Sequence, residues 1–115
     1  AVENRYVCAI AHPTGRWIKD REKYEVDLEA VFLKAKKHKK CLEINASPNR
    51  LDLDDVAAAS ARDHGIPLVI STDAHSTEGL AFLRYGVLQA RRAGLTKADV
   101  ANTRTWPQLK KLLGR

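Results

Sequence analysis

The sequence predicts an α/β fold in which parallel strands are covered by helices. Three observations carry the prediction. Three short apolar runs have no polar face, as strands covered on both sides of a sheet require. Segments with helical apolar spacing separate them, and a strand–helix–strand order gives a parallel sheet. Residues able to hold a metal or a phosphate gather just after each apolar run, and not before it.

Each element has its own justification. Residues 5–11, RYVCAIA, read as the first strand. From Asp27 to Lys40, the residues Leu28, Val31, Phe32 and Ala35 fall at the spacing of one helix face. Residues 41–46, CLEINA, form the second strand. Asp52, with Asp55 three residues on, reads as a helix N-cap, and Gly65 as the stop of that helix. Residues 67–72, PLVIST, form the third strand. Ser76 reads as the cap of a helix that runs to about Arg92 and stops at Gly94. Thr96 and Asp99 read as a capping pair opening a short helix, and Leu109, Leu112 and Leu113 mark a last one. The order is β-α-β-α-β-α-α. Three strands are few against the usual about five or six, so the chain is expected to form part of a larger sheet or barrel.

A length of 115 residues allows one domain, or a piece of a larger one. A hydrophobic fraction of 44% is ordinary for a folded chain. No apolar run approaches the roughly 18 residues of a membrane span, and the opening AVENRYVCAIAHP lacks a signal-peptide cleavage pattern. A cytoplasmic location, away from membranes, is expected. Cys8 and Cys41 lie in or beside predicted strands without Cys-x-x-Cys spacing, so they read as buried, reduced thiols. The net charge is +6, from 20 Lys+Arg against 14 Asp+Glu, which favours anionic partners such as phosphates or nucleic acid. Much of it lies in KAKKHKK, residues 34–40, at the end of a predicted helix. That run reads either as a solvated face that complements the helix dipole or as a nucleic-acid contact. No Gly-x-Ser-x-Gly elbow, Gly-x-Gly-x-x-Gly turn or Walker loop is present, so serine hydrolysis and nucleotide-cofactor binding find no support.

In parallel α/β folds, ligands bind beyond the carboxyl ends of the strands. Here the first strand ends in AHPTGR, with His12. The second carries Glu43 and Asn45 and ends in ASPNR; the third ends in TDAH, with Asp73 and His75. Alternation puts Glu43 and Asn45 on one face, and Asp73 and His75 on one face if the extended path continues. If those faces line one cavity, His12, Asp73 and His75 converge on a metal. Histidine with carboxylate suits Zn²⁺, Mn²⁺ or Fe²⁺, and such a metal would polarise a phosphoryl oxygen or activate water. Each residue also has a structural reading. Asp73 can cap the next helix, His75 can sit in its first turn, and His12 can end a strand before Pro13. Glu43, in an apolar strand, needs a partner, and Arg16 and Arg50 are the candidates. His38 and His64, near helix ends, read as surface residues.

The segments AHPTGR, LEINASPNRLDL and ISTDAH, followed by GVLQARRAGLTKADVANT, resemble the polymerase-and-histidinol-phosphatase (PHP) domain. Within that family the chain looks most similar to the C-terminal PHP domain of bacterial family X DNA polymerases. The resemblance spans nearly all of residues 1–115 as a single unit. It implies the C-terminal part of a distorted (β/α)7 barrel, with divalent metals such as Mn²⁺ or Zn²⁺ at the C-terminal strand ends. It also implies phosphoester hydrolysis: 3′–5′ exonuclease and DNA end-processing in the polymerases, small phosphate monoesters such as histidinol phosphate in relatives. His12 matches the family's late His-Pro ligand, and Asp73 and His75 match its last Asp-x-His motif. Arg16, Asn45 and Arg50 match recurring positions and take supporting or phosphate-contact roles, with Glu43 beside them. Trp17 and Lys19 depart from the small or aliphatic residues expected there. The family's early motifs, beginning with His-x-His, are not in this chain, so a complete three-metal cluster cannot be built from it. The implied partners are DNA and the N-terminal part of the barrel. A half-barrel with two open sheet edges would also invite self-association, and an isolated half-barrel could act as a non-catalytic module.

Overall fold

Three apolar runs become a parallel sheet in the order β1-β2-β3, described over residues 1–115 in a computed structural model. The strands are β1 (Ala9–Ile10), β2 (Cys41–Asn45) and β3 (Leu68–Ser71). The helices are α1 (Leu28–Lys37), α2 (Asp55–Asp63), α3 (Leu83–Arg92) and α4 (Trp106–Leu112). Single 3₁₀ turns lie at Glu78–Phe82 and Ala101–Thr103. The expected order and the parallel sense are both observed; the structure contains three strands, not a closed barrel.

Every residue of β2 is buried, Glu43 and Asn45 included, as in a strand covered on both sides. Its register sets Leu42 against Leu68, Ile44 against Ile70 and Asn45 against Ser71. Phe32 and Ala35 of α1, Ala57, Ala58 and Ala61 of α2, and Ala90 of α3 close over this sheet. Small residues let the helices come close. At Gly86 of α3 a Cβ would lie 2.4 Å from Ile70 Cγ2 and 2.8 Å from Ala46 Cβ, so that position has no room for one.

Several boundaries differ from the sequence reading. The first strand shrinks from residues 5–11 to Ala9–Ile10 because only Ala9 and Ile10 find partners, in Cys41 and Leu42. The cap of α2 is Asp54, whose Oδ1 accepts from the Ala57 N–H at 2.8 Å, and not Asp52. Asp52 is fully buried because its backbone pairs with Asn45 and turns its side chain inward. After Ser76 the chain first makes the 3₁₀ turn, and the Ser76 Oγ accepts from the Gly79 N–H only at 3.4 Å. Thr96 does donate to Asp99, its N–H to Oδ2 at 2.7 Å, but the pair opens a turn and not a helix.

That turn closes one side of the sheet. Val100 bridges Leu68, and the Asn102 side chain takes up both backbone groups of Ile70. Its Oδ1 accepts the Ile70 N–H at 2.8 Å and its Nδ2 donates to the Ile70 carbonyl at 2.9 Å. The outer edge of β1 has no partner strand. One edge is therefore open where two were expected. Cys41 is buried, and burial raises its thiol pKa; Cys8 is half-buried, and both are free. No helix is long and apolar enough to cross a membrane.

Candidate functional site

The carboxyl ends of the three strands meet at Glu43. Glu43 and Asn45, two apart on β2, share a face, and the Asn45 amide donates to Glu43 Oε2 at 3.4 Å. The His12 N–H, just past β1, donates to the same Oε2 at 2.5 Å. The Ser71 hydroxyl, at the end of β3, donates to Glu43 Oε1. A carboxylate only 9% exposed is thus held by neutral donors from three strands. Neither Arg16 nor Arg50 is its partner, contrary to the sequence reading, because both guanidinium groups are engaged elsewhere.

Arg16 donates from Nε to the Arg50 carbonyl at 2.7 Å and from Nη2 to the Leu51 carbonyl at 2.5 Å, so it supports the loop after β2. Arg50 turns towards β3: its Nε lies 3.5 Å from Asp73 Oδ2. Its guanidinium carbon lies 4.9 Å from the centre of the Trp17 ring, and the buried Nε makes no hydrogen bond. Asp73 Oδ2 also accepts from the Asn45 amide at 3.2 Å. Asn45 therefore links Glu43 to Asp73 across the strand ends.

The extended path does not continue through Asp73. Its φ of 54° is left-handed, so His75 leaves the face that strict alternation would give it. The His75 Nδ1 lies 2.6 Å from the Asp73 carbonyl oxygen. A carbonyl only accepts, so Nδ1 carries a proton, which in the neutral ring leaves the lone pair on Nε2, and the residue is exposed. His12 is held through its backbone and has a φ of 30°. The three candidate ligands lie at one pole of the sheet. No group of three or more His, Cys, Asp or Glu side chains is gathered closely enough to hold a metal, so these donors do not make a closed metal site by themselves.

Two contributors were missed in the sequence. Ser71 shares the parity of Asp73 and faces Asn45 in register, a signal that counting back by two from Asp73 would have found. Asp52 was read as a helix cap. Its Oδ2 instead accepts the N–H groups of Thr14 and Gly15, each at 3.0 Å, and so fixes the loop after His12. Burial pushes its pKa above the ordinary aspartate value despite those two amides. His64, read as a surface residue, is half-buried and joins two helices: Nδ1 lies 2.7 Å from the Ser60 carbonyl and Nε2 2.7 Å from Glu29 Oε1. His38 ends α1 as its C-cap.

No protein-family model matches the chain. The chain is 40% identical over 115 residues, its whole length, to the DNA polymerase/3′-5′ exonuclease PolX of Bacillus subtilis (strain 168), of which it covers 20%. It is 30% identical over 109 residues, 90% of its length, to a probable phosphatase of Thermoanaerobacter sp. (strain X514), covering 42% of that protein. A probable phosphatase of Thermoanaerobacter pseudethanolicus (strain ATCC 33223 / 39E) matches with the same values. The chain is homologous to these proteins and spans about a fifth to two fifths of their length.

Proposed function

We propose that the chain is a C-terminal portion of a PHP-type, metal-dependent phosphoesterase, and that its parent trims DNA as a 3′–5′ exonuclease of a family X DNA polymerase. The observation that carries this reading is the convergence of three strand ends through Glu43, Asn45 and Asp73. Homology along the whole chain to a polymerase/exonuclease supports it. In this reading His12, Asp73 and the free Nε2 of His75 hold divalent metal, Mn²⁺ or Zn²⁺, together with ligands from the N-terminal part of the barrel. That part docks along the open edge of β1 and completes the domain. A bound metal supplies the activated water and the charge that a phosphoester needs. Arg50 faces the phosphate, with Trp17 behind it, while Arg16, Glu43 and Asn45 keep the strand ends in place. The parent acts in the cytoplasm.

Two further readings each have a supporting observation. Homology to two probable phosphatases supports a small phosphate monoester as substrate, of the histidinol phosphate kind. The lack of a gathered ligand trio supports a non-catalytic module when the chain stands alone. Titration calorimetry with Mn²⁺, on protein stripped with EDTA, separates these. We expect weak binding by the chain that Asp73→Ala and His75→Ala both abolish. Binding that survives both substitutions would overturn the assignment. Hydrolysis of a 3′-labelled oligonucleotide in preference to p-nitrophenyl phosphate marks the exonuclease, and the reverse marks the monoesterase. A folded chain that neither binds Mn²⁺ nor cleaves either substrate is the non-catalytic module.

A further inference from the structure

The pole opposite the strand ends carries a second concentration of charge. Lys40 directly precedes β2 and Pro67 directly precedes β3, and both line a cavity of about 430 Å³. Lys36, Lys39, Arg104 and Lys111 complete its charged wall, and no Asp or Glu lines it. None of these five cations is in an ion pair. The sequence reading left the lysine run of residues 34–40 open between a solvated face and a nucleic-acid contact, with no partner from elsewhere in the chain. The fold shows that this run and the distant α4 region meet before the strands.

Two of the cations are already held in place. Lys40 Nζ donates to the Asn4 carbonyl at 3.0 Å, and the Arg104 guanidinium lies 3.3 and 3.4 Å from the Ala98 and Val100 carbonyls. Adjoining hollows share these residues and extend the cavity into a trough, one reaching Arg5, beside a Glu3 that is paired with Lys34, and the other reaching Lys97. Arg5 lies 5.2 Å from the centre of the exposed Tyr6 ring.

The helix ends differ in the residue that takes the left-handed position. All four helices finish in the same two hydrogen bonds of the Schellman motif. Its left-handed residue is Gly65 after α2, Gly94 after α3 and Gly114 after α4. After α1 it is Lys39, at φ 54°, a conformation that disfavours a side chain. The ends of α1, α2 and α4 all reach these hollows, and of the three only α1 presents a side chain there, that of Lys39, where the others have Gly65 and Gly114.

We propose that this trough binds the phosphodiester backbone of single-stranded nucleic acid, at a site distinct from the strand-end pole. A row of unpaired cations fits an extended polyanion better than a single anion. An exposed aromatic beside them offers a surface on which an unstacked base can lie, which an acidic peptide would not use. The two poles are separated by the length of β2, roughly 16 Å.

The test is fluorescence anisotropy of a labelled oligothymidylate in EDTA, which keeps its outcome separate from the proposed metal site. Lys36→Ala/Lys39→Gly/Lys111→Ala is expected to weaken binding at least roughly tenfold and to make the salt slope shallower by about 2, near 0.7 per lost phosphate contact. Arg84→Ala/Arg91→Ala/Arg92→Ala, with the same charge change on α3, is expected to keep the original affinity. Lys39→Gly alone should weaken binding while raising Tm by roughly 4 °C, which excludes misfolding as the cause. Equal loss in both triple variants, or no loss in the trough variant, would overturn the proposal. Displacement of the oligonucleotide by polyglutamate at equal charge would overturn it in favour of an acidic peptide.

Discussion

Asp52 shows how one residue can serve the site from outside it. It is wholly buried, and its carboxylate holds the Thr14 and Gly15 amides two and three residues beyond His12. Asp52→Ala would leave the buried Thr14 N–H unpaired, at about 1–3 kcal/mol, while the Gly15 N–H keeps its bond to the His12 carbonyl at 3.0 Å. We expect urea unfolding to show a loss of about 1–3 kcal/mol, and the His12 resonances to move with it. The sequence could not separate Asp52 from Asp54, because DLDD offers several carboxylates at a helix start. Only the backbone pairing of Asp52 with Asn45 decides which one faces inward. The candidates His12, Glu43, Asn45, Asp73 and His75 were legible as residue types after apolar runs. Their partners were not, since Glu43 is satisfied by a backbone amide and a hydroxyl that charge-matching does not suggest.

At the scale of elements, apolar runs, helical spacing and cap and stop residues located all three strands and four helices, while the ends depended on tertiary partners. Gly86 tests this difference. Helix propensity favours alanine over glycine by about 1 kcal/mol, yet a Cβ at Gly86 would meet Ile70 and Ala46. Overpacking costs about 1–3 kcal/mol, so Gly86→Ala is expected to lower stability by up to about 2 kcal/mol in chemical denaturation, against its propensity. A second test concerns the link between α1 and α2. The Ser60 carbonyl and then Glu29 raise the His64 pKa above its ordinary value. A raised folded-state pKa means stability that is full below the unfolded value, near 6.5, and is lost as pH rises through the folded one. Tm measured from roughly pH 5.5 to 8.5 should fall across that window, and His64→Gln should flatten the fall.

For the whole molecule, the two sides of the sheet differ in kind. The outer edge of β1 offers unpaired backbone groups, and such edges recruit other strands. Sedimentation should show a mass that rises with concentration, and Ala9→Lys, which puts a charge on that edge, should suppress the rise. The sequence implied few strands and therefore open edges; it gave no sign that one side was already finished, because a lone Asn in an irregular segment carries no periodic signal. Asn102 imitates a peptide group, offering Ile70 one acceptor and one donor with the spacing of a strand. It acts as a chain terminator for sheet growth, built from a single side chain. Where β3 stops adding neighbours is thus decided by one rotamer, and Asn102→Ala would turn a sheet that extends in one direction into one that extends in two, its first trace being faster deuterium uptake at the Ile70 amide.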